Sequence, residues 1–238
     1  PKQGKSNMYH VEPSWSQQIG KEHKAYVLMT DKSYGNLSIN QEKETLHGRQ
    51  EGLVGKPWAY LEQIHGNSVI EITKAGEFQG TKGDALVTSC VDIPLSVQVA
   101  DCAPVALFSE EGVLGVVHAG WRGVHSDVIG KTCFEMNKLG QAPSIAIVGP
   151  CIYPENYEFD RNDLAALEKT FGVGIKSKTK YGRPALDLPA MVRLALSKNG
   201  VKNVTYLDGC TADSEHFWSH RANCDQERQA MVAWIGNN

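Results

Sequence analysis

Residues 95–123, LSVQVADCAPVALFSEEGVLGVVHAGWRG, contain three short apolar runs separated by turn-forming residues. The runs at 95–99, 105–108 and 113–117 have the length and the apolar content of buried strands. The connections between them are short and contain glycine or proline, which favours mostly antiparallel pairing. This segment therefore predicts a β-sheet as the main structural element of the chain.

Further strand and helix patterns flank this segment. Strands are predicted over residues 25–30, 58–62, 68–73, 84–88, 145–148, 204–207 and 230–235. Helices are predicted after an N-cap at Asn40, between Gly123 and a C-cap at Gly140, and over residues 163–171 and 189–197. Strand clusters followed by helices, without strict β-α alternation, indicate an α+β domain whose sheet is covered by helices.

A single domain is expected over residues 1–238. No internal repeat, low-complexity tract or linker divides the chain, and 238 residues suit one domain with a substantial core. Residues 1–24 are polar and weakly patterned, which predicts a surface arm or a first edge strand.

Composition argues against several classes of function. The chain is 41% hydrophobic and 21% charged, and its formal net charge is −3. This near-neutral balance argues against a nucleic-acid-binding surface, and no apolar run approaches the ~18–20 residues that a membrane span needs. Six cysteines are scattered without a C-x-x-C pair, as is typical of reduced thiols. We therefore expect a cytoplasmic protein with a small-molecule substrate and no nucleic-acid or membrane partner.

Three candidate metal ligands stand at the ends of strand-like runs. His65, Cys102 and His118 each lie beside residues that turn the chain. Two imidazoles and a thiolate form a three-ligand set for zinc, and catalytic zinc sites keep one position open for water or substrate. The spacing is unlike that of a zinc finger, and a lone residue of these types is more often a core cysteine or a hydrogen-bonded histidine than a metal ligand.

Other side chains are candidates for binding a ligand. Trp121 and Arg122 could stack on and hold a planar anion, although core packing and a surface ion pair explain them as well. The guanidinium of Arg221 matches phosphate or carboxylate. His216 and His220 have the i, i+4 spacing of helical zinc proteases, but Phe217 stands where the general-base glutamate belongs, which argues against a second zinc site.

Several motifs, in their order along the chain, resemble those of one protein family. They are QIHG (63–66), DALVT (84–88), ADCAPV (100–105), HAGWRG (118–123) and GPCI (149–152). Over roughly residues 25 to 235, the chain resembles the YfiH family, also called the multicopper polyphenol oxidoreductase (laccase) family and peptidoglycan editing factor.

This resemblance implies a layered α-β-β-α fold, similar to the catalytic domain of the cytotoxic necrotising factors. It also implies a cytosolic zinc enzyme with His65, Cys102 and His118 as metal ligands. The implied activities are phosphorolysis of adenosine, inosine and methylthioadenosine, deamination of adenosine, and copper-dependent oxidation of phenols.

The chain departs from the family pattern in three segments. Residues 30–40 replace the family's Thr-Arg-x-Gly-Gly-Val-Ser loop and lack its arginine. The late Ser-Tyr-Arg-Arg segment is SHRA at 219–222, and the following Thr-Gly-Arg is QER at 226–228. Arg49 still matches a family arginine and remains a candidate for binding substrate.

The residues that the chain contains favour some of these activities over others. A laccase needs four coppers held mostly by histidines, and this chain has eight histidines and no H-x-H pair. Copper in the three-ligand site would support only a weak side oxidation.

Our first hypothesis is a zinc-dependent purine nucleoside enzyme. An open zinc site can generate hydroxide for deamination, with Glu62 or Asp101 moving protons. Phosphorolysis instead needs cationic groups for phosphate, and Arg49, Arg122 and Arg221 are the candidates.

Two alternatives belong to other classes. The first is a metal-free cysteine hydrolase or amidase that acts on a cell-wall precursor, with Cys102 as nucleophile and His118 as base. The second is a binding protein that retains the fold without turnover. For the enzyme, the expected catalytic residues are His65, Asp101, Cys102 and His118, and the expected substrate-binding residues are Arg49, Trp121, Arg122 and Arg221.

Overall fold

A computed structural model describes residues 8–237. Within that range the strands are β1 (Trp15–Ile19), β2 (His23–Met29), β3 (Leu61–Glu62), β4 (Val69–Glu71), β5 (Thr81–Lys82), β6 (Ala85–Thr88), β7 (Leu95–Val99), β8 (Ala103–Phe108), β9 (Leu114–Ala119), β10 (Ile145–Val148), β11 (Lys176–Lys178), β12 (Pro184–Leu186), β13 (Asn203–Tyr206) and β14 (Gln229–Asn237). The α-helices of the same range are α1 (Lys43–Leu53), α2 (Trp121–His125), α3 (Val128–Leu139), α4 (Arg161–Phe171), α5 (Leu188–Lys198) and α6 (His220–Asn223).

Two main sheets organise the chain. The smaller has the strand order β1-β2-β14-β7 and is antiparallel throughout. The larger has the order β13-β10-β8-β9-β6-β4, with parallel pairs only at its two edges. The predicted predominance of antiparallel pairing is confirmed. The segment that begins at Leu95 contributes to both sheets, because β7 lies in the smaller one while β8 and β9 are neighbours in the larger.

Apolar side chains form three layers around these sheets. One layer lies between the two sheets and includes Val97, Phe108 and Val116. A second packs the outer face of the larger sheet against α2, α3, α4 and α5, and a third packs the outer face of the smaller sheet against α1. The result is an α+β sandwich with helices outside two central sheets, as the family resemblance implies.

The alternation of side chains along β9 directs one candidate ligand inward. Val117 and Ala119 face the helical layer, whereas Leu114 and Val116 face the layer between the sheets. Because side chains alternate with a period of two along a strand, His118 lies on the same face as Val116. Its imidazole therefore projects at the end of the layer between the sheets.

Two helix predictions need correction. Helix α1 has its N-cap at Glu42 rather than Asn40, because residues 36–40 form side-chain-stabilised turns in which Asn36 and Ser38 accept backbone N–H bonds. The single helix predicted after Gly123 is two helices, separated at Asp127, whose φ of 69° is left-handed. The predicted C-cap at Gly140 is confirmed.

Residues 8–24 of the N-terminal segment lie within the part of the chain that the structure describes. The edge strand β1 lies within the segment predicted as an arm or first strand, and it pairs with β2. Residues 1–7 of the predicted arm lie outside the described residues. Among residues 8–237, no helix has both the length and the apolar character required to cross a bilayer.

We expect Phe108→Ala to lower the free energy of unfolding by about 3–5 kcal/mol, since the ring is fully buried between the sheets and stacks on Trp15 at 5.5 Å. Urea denaturation followed by circular dichroism would measure the change. The matched control is Phe134→Ala, because Phe134 is 62% exposed on α3 and its loss should cost under about 0.5 kcal/mol. Equal losses in both variants would contradict this description of the core.

Candidate functional site

The three candidate metal ligands come together in space. The ligand atoms of His65, Cys102 and His118 all lie within 4.8 Å of one another, and theirs is the one such group of three found among residues 8–237. The two imidazole centroids are 4.9 Å apart and the rings are nearly perpendicular. His118 is buried, Cys102 is half-buried and His65 is exposed. The site therefore opens to solvent on the side of His65.

Each ligand lies in or beside a different loop at the same end of the sandwich. His118 is the penultimate residue of β9. Cys102 lies on the connection by which the chain passes from β7 in one sheet to β8 in the other. His65 follows β3 and has a left-handed φ of 59°. The fold therefore brings three separate parts of the sequence together.

The carboxylate of Asp84 orients two of the three ligands. Its Oδ1 lies 2.9 Å from Nδ1 of His118 and accepts the backbone N–H of His65 at 2.8 Å. Its Oδ2 accepts the N–H of Gly66 at 2.7 Å. With Nδ1 of His118 bound in this way, Nε2 is the nitrogen left for a metal. Carboxylate–histidine pairs of this kind fix the tautomer and orientation of metal-binding histidines.

The charges at the site favour ionised partners. Burial opposes ionisation of Cys102, but His118 and His65 outweigh it and lower the pKa of the thiol to about 6. Burial also disfavours a charged imidazole at His118, but Cys102 and Asp84 raise its pKa to about 9. Burial would raise the pKa of Asp84, yet hydrogen bonds from His118 and Gly66 lower it. Cys102 is therefore a thiolate at neutral pH, which is the form that binds metal.

The space around these ligands suits a metal ion. A Cβ atom on Gly120 would lie 2.9 Å from Sγ of Cys102 and 3.2 Å from Cδ2 of His65, so a side chain there would occupy the site. Two imidazoles and one thiolate form a donor set that zinc accepts, and copper accepts similar donors. Three protein ligands leave a coordination position free for a substrate or water.

Asp101 connects the Cys102 loop to the late part of the chain. Its Oδ1 accepts hydrogen bonds from Thr211 Oγ1 at 2.7 Å and from Ser219 Oγ at 2.6 Å. Its Oδ2 accepts the backbone N–H of Arg221 at 2.7 Å. Its φ of 103° is unusual for a residue with a side chain. With both carboxylate oxygens engaged, Asp101 is placed to position the Cys102 loop. Glu62, which also lines the cleft, is exposed.

A cleft of about 570 Å³ surrounds the three ligands, a size typical of small-molecule sites. Four of the residues expected at the site line it together with the ligands: Asp101, Trp121, Arg122 and Arg221. Sequence reasoning did not assign a site role to several other lining residues: Gln63, Gln98, Tyr157, His220 and Arg228. The buried ring of Tyr157 supports the guanidinium of Arg221 at 5.0 Å.

Arg49 lies apart from the other candidate substrate-binding residues. Its guanidinium donates to the carbonyl of Asn36 at 2.7 Å and to the side chain of Gln41. Arg49 therefore holds the segment that replaces the family's glycine loop, and the structure does not place it among the cleft-lining residues. That segment supplies Ser38, Ile39 and Asn40 to the cleft wall.

Comparison with known proteins agrees with these features. Residues 36–236 match the model of the family described as multi-copper polyphenol oxidoreductase laccase. The chain belongs to this family. A purine nucleoside phosphorylase of Xylella fastidiosa is 36% identical over 189 residues, which cover 74% of this chain and 72% of the relative.

Solved structures of the same type share the fold. A Neisseria meningitidis protein superposes with a TM-score of 0.78 at 24% identity, covering 94% of this chain and 98% of its own. The Bacillus licheniformis protein YfiH superposes with a TM-score of 0.75 at 20% identity, covering 91% and 93%. The resemblance to the YfiH family is confirmed. In residues 8–237 of this member, one group of three side chains could hold a metal ion.

We expect Asp84→Asn to weaken zinc binding about 10–100-fold, because a neutral amide cannot replace the charged acceptor that orients His118 and the His65 turn. Competition with a chromophoric chelator would measure the dissociation constant. Asp92→Asn is the matched control, since Asp92 is a half-exposed carboxylate that pairs with Lys56 at 3.6 Å and does not line the cleft. Wild-type affinity in Asp84→Asn, with circular dichroism unchanged, would refute the orienting role.

Proposed function

We propose that this protein is a zinc-dependent purine nucleoside enzyme that cleaves adenosine, inosine or methylthioadenosine with phosphate and also deaminates adenosine. The observation that carries the proposal is one cleft lined both by a His-Cys-His ligand set and by two arginines, Arg122 and Arg221. Curated relatives 29–36% identical to this chain are named purine nucleoside phosphorylase, which supports the same activity.

Zinc held by His65, Cys102 and His118 would supply Lewis-acid chemistry to a substrate oxygen or to water. The protein's own contribution begins with the rigidity of this ligand set. Asp84 holds the imidazole of His118 in one tautomer, and Asp101 holds the loop that carries Cys102. Ligands fixed in this way do not have to reorganise during the reaction.

The arginines are suited to bind the phosphate that attacks the ribose. A guanidinium presents several N–H donors in one plane and pairs with phosphate oxygens two at a time. Arg122 lies over the ring of Trp121 at 4.4 Å and Arg221 lies over the ring of Tyr157, so both cations have a defined orientation at the cleft. Phosphate held there would be positioned for attack on C1′ as charge develops on the ribose.

Deamination needs a group that moves protons between water and the purine. Glu62 is suited to this step, because its carboxylate is exposed in the cleft next to the ligand set. Tyr157 can act as a hydrogen-bond donor in the same cleft. Its pKa is raised by burial and by the Cys102 charge, so the hydroxyl keeps its proton at neutral pH.

We expect zinc-loaded protein to release adenine from adenosine and hypoxanthine from inosine only when phosphate is present, and to form inosine from adenosine without phosphate. Chromatography of the reaction mixtures would separate these products. Cys102→Ala should lose turnover by at least about 100-fold, since removing a ligand disrupts the site.

Cys90→Ala is the control for this substitution, because Cys90 is a half-buried cysteine that is not part of the cleft lining and should keep wild-type turnover. Full activity in Cys102→Ala would reject a metal-dependent reaction at this site. Stoichiometric nucleoside binding without any product would instead support a binding protein that has lost turnover.

A second candidate function is favoured by the same geometry. Cys102, His118 and Asp84 form a line in which the imidazole contacts the thiolate on one side and the carboxylate on the other. This is the arrangement of a cysteine hydrolase, with Cys102 as nucleophile and His118 as base. Mass spectrometry of chelator-treated protein after incubation with a muropeptide precursor tests it. An acyl adduct on Cys102 is expected for the hydrolase, and an unmodified thiol together with zinc-dependent turnover would reject it.

A further inference from the structure

A cluster of three aromatic rings lies beneath the two cleft arginines. The ring of Phe159 stands edge-on to Trp121, at a centroid distance of 5.2 Å and an angle of 84°. The same ring stands edge-on to Tyr157, at 5.5 Å and 75°. We call Trp121, Phe159 and Tyr157 the aromatic platform. Each outer ring carries one arginine, Arg122 on Trp121 and Arg221 on Tyr157.

The middle of the platform is attached to the rest of the fold by main-chain bonds. The N–H of Phe159 donates to the carbonyl of Pro184 at 2.9 Å, and the N–H of Leu186 donates to the carbonyl of Tyr157 at 3.3 Å. Both acceptor and donor on the far side belong to β12. Glu158 lies between Tyr157 and Phe159 in the sequence, and its backbone carbonyl accepts a hydrogen bond from Arg221 Nη1 at 3.1 Å. The platform is therefore a fixed part of the structure.

Phe159 has no direct access to a ligand in the cleft. Trp121, Tyr157 and both arginines line the cleft, whereas Phe159 is not among the lining residues. Its ring nevertheless contacts both aromatic supports. Any effect of Phe159 on a bound anion must be transmitted through the orientation of Trp121 and Tyr157.

We propose that Phe159 is a positioning residue for the phosphate co-substrate. It acts by fixing the rings of Trp121 and Tyr157, and these rings in turn orient the guanidinium groups of Arg122 and Arg221. This inference rests on the proposed phosphorolysis. An unsupported arginine side chain loses considerable rotational freedom when it binds an anion. The platform restricts the two arginine side chains before phosphate binds, because an aromatic face attracts and orients a guanidinium.

The test compares three substitutions at Phe159 in the full-length, zinc-loaded protein. Phe159→Ala and Phe159→Leu should raise KM for phosphate about tenfold while kcat at saturating phosphate changes less than about threefold. Phe159→Tyr keeps the ring and should restore a KM close to that of the wild type. Phe171→Leu is the matched control, since Phe171 is a partly buried phenylalanine at the end of α4 that packs on the core behind the larger sheet.

Calorimetric titration with inorganic phosphate provides a second readout that does not need turnover. If wild-type protein binds phosphate but forms no free base, the proposed function fails while weaker phosphate binding in Phe159→Leu still supports the platform. If wild-type protein cleaves nucleosides and Phe159→Leu binds phosphate equally well, the platform inference is overturned and the function stands. Wild-type protein that binds no inorganic phosphate, or that binds only a nucleoside monophosphate, also overturns the inference.

Discussion

The site depends on the ionised carboxylate of Asp84, which is buried between the larger sheet and the His65 turn. A buried charge is tolerated only when donors surround it, and here those donors are the imidazole of His118 and the N–H groups of His65 and Gly66. The same bonds that compensate the charge bring two histidines from different parts of the chain together. The backbone of Asp84 also accepts the N–H of His118, so the two residues are joined by main chain and side chain alike.

A second carboxylate performs the corresponding task for the third ligand. Cys102 lies where the chain crosses from one sheet to the other. The side chain of the preceding residue, Asp101, binds Thr211, Ser219 and the backbone N–H of Arg221. The cysteine loop and the segment that bears Arg221 are thus fixed relative to each other. The candidate ligand Cys102 and the candidate phosphate-binding residue Arg221 thus share Asp101 as a common support.

Much of the fold follows from local patterns in the sequence, and much of the site does not. Apolar runs such as 105–108 and 113–117 predict β8 and β9 because a strand buried on both faces needs continuous apolar side chains. Asp84 was recognised only as part of a motif, since its partners lie far away in sequence. The break at Asp127 was missed because the apolar stripe continues across it. Arg49 matches a family arginine, but the orientation of its guanidinium depends on Asn36 and Gln41. The conformation of the segment at 36–41 does not follow from residue spacing.

The three candidate ligands come from the turn after β3, the β7–β8 connection and the end of β9, and the fold brings them together. An unfolded chain would bind a metal ion weakly. A metal ion bound to the native protein would therefore add to the free energy of unfolding. The added amount grows with the logarithm of the ratio of the free ion concentration to the dissociation constant. For the proposed zinc-bound form, the stability of the protein would therefore be thermodynamically linked to the metal supply around it. Chelation of a zinc ion bound there would expose the thiolate of Cys102 and lower the stability of both sheets together, because the β7–β8 connection joins them.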